Sequence, residues 1–198
     1  MTISEKIWNL IAPVYGILRR NPVSGYFLNK EKLAIESLLE KLNLSHITTI
    51  CDLGVGRGNG LNFIPDTIEQ KMAIDKSMTM IQYTKKDFPG TNFIQADVCN
   101  LPLKSESFEL IICIGLIEYI PNLEPLIEQL AFILNYEGHI ILSYSPRNIF
   151  TYLRFLRGHR IYARNSIELE KNFRKYQLKI SELKVTPMQY QYLLRKIR

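Results

Sequence analysis

Cysteine, histidine and tryptophan are scarce in this chain: three, three and one among 198 residues. Cys51, Cys99 and Cys113 have no C-x-x-C spacing, which excludes a zinc ribbon or dithiol redox centre, and all three read as reduced core residues. No metal is expected. No apolar run reaches the roughly 18–20 residues needed to cross a bilayer. The opening MTISEKIWNL carries an acid and lacks the long hydrophobic region of a secretory leader, so cytoplasmic residence is expected. Internal repeats and low-complexity tracts are absent. What remains is an ordinary globular composition, 46% hydrophobic and 22% charged, at a length that suits one domain with a sizeable core. Acids are fewer than bases, giving a net charge of +6, a bias toward anionic partners that concerns encounter and not fold.

The most informative residues are ICDLGVGRG, from Ile50 to Gly58. They place Asp52 and three alternate glycines, Gly54, Gly56 and Gly58, where an apolar strand should end. Such glycines permit positive φ and let a ligand approach the main chain. A dinucleotide-binding turn wants G-x-G-x-x-G, and the position of its third glycine, counted from Gly54, is Asn59. A carboxylate at the mouth also repels a pyrophosphate and suits a cationic ligand.

Strand candidates alternate with helical stretches from Ile47 onward, the pattern of a parallel sheet wound by helices on both faces. Strands are expected to end near Leu53, Asp75, Asp97, Gly115 and Ser145, with helices at 60–64, 78–86, 123–134 and 166–176. Two last strands, 179–186 and 189–196, would form a hairpin turning at Pro187 and Met188. Ahead of the sheet, 5–18 and 31–42 carry apolar residues at helical spacing, joined through Pro22, Gly25 and Asn29. These helices are expected over the pocket mouth. The resulting division is an N-terminal helical cap (1–45), a cofactor-binding core (46–146), a basic aromatic insertion (147–165) and a C-terminal helix and hairpin (166–198).

Asp52, Gly54, Gly56 and Gly58 match [D/E]-x-G-x-G-x-G, the first motif of the class I S-adenosylmethionine-dependent methyltransferases, which the chain resembles. The resemblance is strongest over 45–145 and implies a Rossmann-like, seven-stranded, mostly parallel α/β sheet with an antiparallel C-terminal hairpin. It further implies S-adenosylmethionine as cofactor and S-adenosylhomocysteine as product. Asp75 closes the second strand and begins D-x-S-x-x-M with Ser77 and Met80. The resemblance gives it the ribose hydroxyls, and gives Asp97, at the end of the third strand, the adenine amine. Lys76, Met80, Val98 and Ile114 complete the implied cofactor set. Phe108-Glu109 stands where the family usually has F-D. The stretch WNLIAPVYG, residues 8–16, resembles the F-x-x-I-A-x-x-Y-D segment of the ubiquinone and menaquinone C-methyltransferases, a type 11 methyltransferase branch, with Trp8 and Gly16 departing from it.

In an open α/β sheet, ligands gather at the carboxyl ends of the strands. His46 and His139 fall at the other edge and read as structural. Glu118 and Tyr119 after the fourth strand, Tyr144 after the fifth and His159 beyond it are the candidates for a base, where the acceptor must lose a proton. Many relatives have a histidine pair where Glu118-Tyr119 stands, which leaves the acceptor class open. The segment 147–164 holds five arginines and no acid, interleaved with Phe150, Tyr152, Phe155 and Tyr162. It reads as a solvated helix, as a substrate lid meeting an anionic membrane peripherally, or as a nucleic-acid contact. The N-P-P-Y and P-C motifs of DNA base methyltransferases are missing. The expected activity is methyl transfer to a small-molecule or lipid- or quinone-like acceptor, with an RNA methyltransferase or a non-catalytic binding module as alternatives. Oligomeric state is not readable.

Overall fold

The computed structural model describes residues 8–10, 12–13, 22–156 and 161–198. Its centre is a seven-stranded sheet in the order β3-β2-β1-β4-β5-β7-β6. Strands β1 (Thr49–Leu53), β2 (Gln70–Asp75), β3 (Asn92–Gln95), β4 (Phe108–Cys113) and β5 (Leu134–Tyr144) run parallel. β6 (Leu178–Val185) and β7 (Tyr190–Lys196) pair antiparallel with each other, and β7 pairs antiparallel with β5. The Rossmann-like sheet and its C-terminal hairpin are those the sequence implies.

Alternation along the central strands explains why both faces are covered. Ile50, Leu110, Ile112, Ile141 and Leu193 share one cluster with Ile35, Leu38 and Leu39 of helix α1 (Pro22–Leu39). Their neighbours Cys51, Leu53, Ile111, Cys113, Ile140 and Leu142 join the other cluster. There they pack on Leu126, Leu130 and Ile133 of α3 (Glu124–Ile133) and on Leu169 and Phe173 of α5 (Ser166–Lys175). Period-2 side chains that are apolar on both faces demand this double cover. The remaining helices are α2 (Met78–Asp87) and α4 (Ile149–Leu156). Glu109 fixes the lower edge of β1 and β4: its Oε2 accepts from the backbone N–H groups of Thr48 at 2.6 Å and Thr49 at 3.0 Å.

The helix ahead of the sheet departs from expectation. Pro22, Gly25 and Asn29 do not connect two helices; they lie within α1, which starts at Pro22 and stops at Leu39. Proline at a first helical position gives up no hydrogen bond, because that N–H has no intrahelical partner. The apolar anchors Ile35, Leu38 and Leu39, all buried, hold the helix despite Gly25. Of the expected helix 5–18, residues 8–10 and 12–13 are helical and the rest lies outside the described residues. At 60–64 a single 3₁₀ turn, Leu61–Phe63, replaces the expected helix.

Candidate functional site

From neighbouring positions β1 and β4 the chain leaves in opposite directions, β1 toward β2 and β4 toward β5. The loops after these two strands therefore diverge and leave a crevice at the point where strand order reverses. A cavity of about 310 Å³ fills it, a size at the lower end for small-molecule pockets. Asp52, Gly54, Gly56, Asp75, Lys76, Met80, Asp97, Val98 and Ile114 all line it.

Asp52 ends β1 with its carboxyl group at the cavity and is 2% exposed. Leu61 N–H donates to it, while Oδ2 has no hydrogen-bond partner. Burial, reinforced by the nearby Asp75 charge, pushes its pKa up to about 8. An orphaned buried carboxylate is costly unless a cation or donor meets it. Gly54 and Gly56, with φ of 69° and 51°, turn the chain over this acid.

Gly58 stands at the edge of this turn. It is not among the cavity-lining residues; a Cβ there would lie 2.5 Å from Phe88 Cε2. Its φ of 79° and the packing of the turn on Phe88 and Thr84 both require glycine there. The glycine that the pocket floor needs is Gly60, where a Cβ would stand 2.5 Å from Asp52 Oδ2. Its signal was present in the sequence, since Gly60 continues the alternation of Gly54, Gly56 and Gly58.

Asp75 follows from β2. Its Oδ2 accepts from Gly56 N–H and its Oδ1 from Ser77 N–H, both at 2.8 Å, so the acid ties the glycine turn to the start of α2. Lys76 N–H donates to the same carboxylate, which leaves at least one acceptor site for a ligand hydroxyl. Burial raises the Asp75 pKa against these hydrogen bonds. Ser77 then caps α2 by accepting from Met80 N–H at 3.1 Å, and Met80 is buried beneath the cavity. The D-x-S-x-x-M spacing is thus an acid, a cap and a floor one helical turn on. Asp97 lies two residues past β3. Burial acts to raise its pKa, but Lys76 Nζ at 2.8 Å and Cys99 N–H at 3.0 Å outweigh it and hold the carboxyl below its usual range. Cys99 is half-buried, packing against the core while also lining the cavity; Cys51 and Cys113 are buried, and all three thiols are free.

The far end of the cavity lies after β4, beside β5. Glu118 and Tyr119 sit in a 3₁₀ turn, Ile117–Tyr119, and both line the cavity. Glu118 is fully buried; its Oε1 accepts from Ser145 Oγ at 3.3 Å and from Gln189 Nε2 at 3.4 Å. Trp8 meets Tyr119 edge to face at 5.0 Å, and Ser77 Oγ donates to Asn9 Oδ1 at 2.5 Å, so residues 8 and 9 join the loops after β2 and β4. Glu31 of α1 also reaches the lining. Tyr144 does not belong here: it is wholly buried in the core, stacked on Tyr192, with its pKa pushed up by burial. His159 lies outside the described residues.

Of the basic segment, Arg164 is turned inward. Its guanidinium donates to the carbonyls of Ile117, Ile120 and Pro121, while Tyr162 N–H donates to Glu118 O at 2.7 Å. That stretch closes the loop carrying Glu118 and does not offer Arg164 to phosphates. Sequence reasoning also missed Gln189, Trp8 and Arg57 as lining residues. No local motif marks Gln189, which arrives from the hairpin after β6.

Residues 51–142 match a family model described as a methyltransferase domain. The chain is 26% identical over 118 residues to malonyl-[acyl-carrier protein] O-methyltransferase of Marinomonas sp. (strain MWYL1), covering 57% of this chain and 44% of that protein. It thus spans under half the length of that relative. It is 27% identical over 158 residues to the ubiquinone/menaquinone biosynthesis C-methyltransferase UbiE of Campylobacter jejuni subsp. jejuni serotype O:23/36 (strain 81-176), covering 74% of this chain and 67% of that one. Among solved structures, magnesium protoporphyrin IX methyltransferase (ChlM) from Synechocystis PCC 6803 with bound SAH shares the fold at a TM-score of 0.74 and 17% identity, covering 98% of each chain.

Proposed function

We propose that the chain, whose residues 51–142 match a methyltransferase domain, acts as a class I S-adenosylmethionine-dependent methyltransferase on a small-molecule or lipid- or quinone-like acceptor. The observation that carries the reading is the Asp52 carboxyl, buried at the cavity with an unpartnered Oδ2. A ligand bearing a sulfonium and an α-ammonium restores the charge that burial suppresses there, which a dinucleotide does not.

In this reading Asp75 receives the ribose hydroxyls on the acceptor capacity left over from Gly56, Lys76 and Ser77. Asp97 receives the adenine amine, in place of or beside Lys76. Gly54, Gly56 and Gly60 leave room for the main chain to approach, and Val98, Ile114 and Met80 supply apolar contact. When bound, S-adenosylmethionine supplies a methyl group already activated for displacement. The chain's own contribution is to hold the acceptor in line, an effect on the order of 7–11 kcal/mol where alignment is complete. Glu118 is our candidate to take a proton from the acceptor, a reading supported by its place on the cavity lining beside Tyr119 and Trp8. His159 remains a candidate from sequence alone.

No helix among the described residues is long and apolar enough to cross a membrane. We propose that a lipid-like acceptor is met from the surface, where Arg147, Ile149 and Tyr152 are exposed. Calorimetric titration with S-adenosylhomocysteine and, separately, NAD tests the cofactor reading. Micromolar binding of the first alone is expected; preference for NAD, or binding of neither, refutes it.

A further inference from the structure

Helix α4 is turned the wrong way round for a helix that faces water. Thr151, in its first turn, is 4% exposed, and the Oγ1 it buries has no hydrogen-bond partner. Ile149 and Tyr152 are instead 63% and 59% exposed. Three residues apart, these two share the face of α4 that lies away from Thr151. One exposed apolar side chain is ordinary, but a helix that hides its hydroxyl and presents an apolar pair is built for surroundings less polar than water.

The same surface continues onto α1. Phe27 packs on Phe150 with ring centroids 5.5 Å apart, which joins the two helices. Beside that contact Tyr26 is 59% exposed, with Lys30 Nζ 5.7 Å from the centre of its ring. Both helices stand at the carboxyl edge of the sheet, the edge that holds the cavity. Glu31 of α1 reaches the lining, and Asn148 Nδ2, just ahead of α4, donates at 2.9 Å to Pro187 O in the hairpin that carries Gln189. The charge beside the exposed apolar residues has one sign: Arg147 and Lys30 are exposed, and the sequence has no acid from 22 to 30 or from 138 to 167.

We infer that α4 and the first turns of α1 form a docking face for an anionic lipid bilayer. Ile149, Tyr152 and Tyr26 enter the headgroup region, while Arg147 and Lys30 meet lipid phosphates. A second copy of the chain fits this face poorly, since a two-fold contact would set its basic rim against an identical one. A nucleic acid would find rings to stack on and leave Ile149 uncovered. The docking holds whatever the acceptor is; it rests on the methyltransferase reading only for its use, which is to bring the carboxyl edge of the sheet against a lipid-like acceptor.

The test is sedimentation of the full chain, without cofactor, with vesicles of phosphatidylcholine alone or with about one third phosphatidylglycerol. Binding to the anionic vesicles should be about tenfold tighter, and should weaken as salt rises from about 0.1 to about 0.5 M. Ile149→Asn combined with Tyr152→Asn should lower that binding about tenfold and leave the melting temperature unchanged, because both side chains face outward. Thr151→Val, which removes the buried hydroxyl, should raise the melting temperature and leave vesicle binding as it was. Equal binding to both vesicle types, anionic binding that survives the double substitution, or a preference for single-stranded RNA over the anionic vesicles would each overturn the inference. So would a lower melting temperature in the double variant, which would put Ile149 and Tyr152 inside the fold. With no cofactor present, these results stand apart from whether S-adenosylhomocysteine binds in calorimetry.

Discussion

With Asp52 as the partner we propose for the ligand's cation, cofactor binding becomes a proton-linked event. Burial holds its carboxyl near a pKa of about 8 in the ligand-free protein. At pH 7 about nine molecules in ten therefore carry the proton. A cationic ligand requires the ionised form, so binding at pH 7 must expel nearly one proton, at a penalty of about 1.4 kcal/mol, or tenfold in affinity. The penalty vanishes above pH 8 and grows tenfold for each unit below it. Affinity for S-adenosylmethionine should thus rise by roughly two orders of magnitude between pH 6 and 8.5. The folded pKa lies above the ordinary 3.8, so the native state holds more protons than the unfolded chain between these values. Stability of the ligand-free protein should then fall as pH rises through that window, by an amount of order 5 kcal/mol at most. Calorimetry at pH 7 in phosphate and in Tris, whose ionisation enthalpies differ, counts the protons directly. Asp52→Asn should bind more weakly, release no proton and lose the pH dependence. Proton release near zero in the wild type, with flat affinity from pH 6 to 8.5, would refute the assignment of Asp52 as the cation's partner.

Asp75→Ala should weaken S-adenosylhomocysteine binding by about 1.5–3 kcal/mol, the range for hydrogen bonds to a charged group, read by calorimetry; unchanged affinity removes the ribose assignment. Gly60→Ala should abolish that binding, because its Cβ would fall 2.5 Å from Asp52 Oδ2, whereas Gly58→Ala, strained at φ 79° and against Phe88, should lower the melting temperature more than the affinity of the folded fraction. Equal loss of binding in both variants would return Gly58 to the pocket. Gly25→Ala should stabilise the protein by about 0.5–1 kcal/mol, since the residue is helical, exposed and has nothing within 4 Å of a Cβ; denaturant melts would show it, and any destabilisation would argue that α1 starts later.

The sheet was legible because its evidence is local. Each central strand is a short apolar run, and the acids Asp52 and Asp75 occupy the last or next-to-last position of β1 and β2. Where evidence was not local, the reading slipped. Pro22 and Gly25 are strong local breakers, yet α1 runs through them because its far end is anchored by Ile35, Leu38 and Leu39 against the sheet. Tyr144 ends a strand on the active side, but parity along β5 sends its ring into the core with Tyr192 and Phe173 instead of toward the cavity.

The two ends of the cavity differ in the same way. The end holding Asp52, Asp75 and Asp97 is assembled from residues adjacent to their own strand ends, and the hydrogen bonds that set it lie within one loop, Ser77 to Asp75, or connect neighbouring loops, Gly56 to Asp75 and Lys76 to Asp97. Such a site is written in spacing and can be recognised one strand at a time. The other end depends on residues 8, 118, 145 and 189, which only the completed sheet brings together. Gln189 reaches Glu118 because β7 inserts between β5 and β6, so the C-terminal hairpin also contributes to the cavity lining. Under the proposed function, acceptor choice falls to the end at 118 and 119 and cofactor choice to the end at 52, 60 and 75, and substitutions at the two ends are expected to combine additively in free energy.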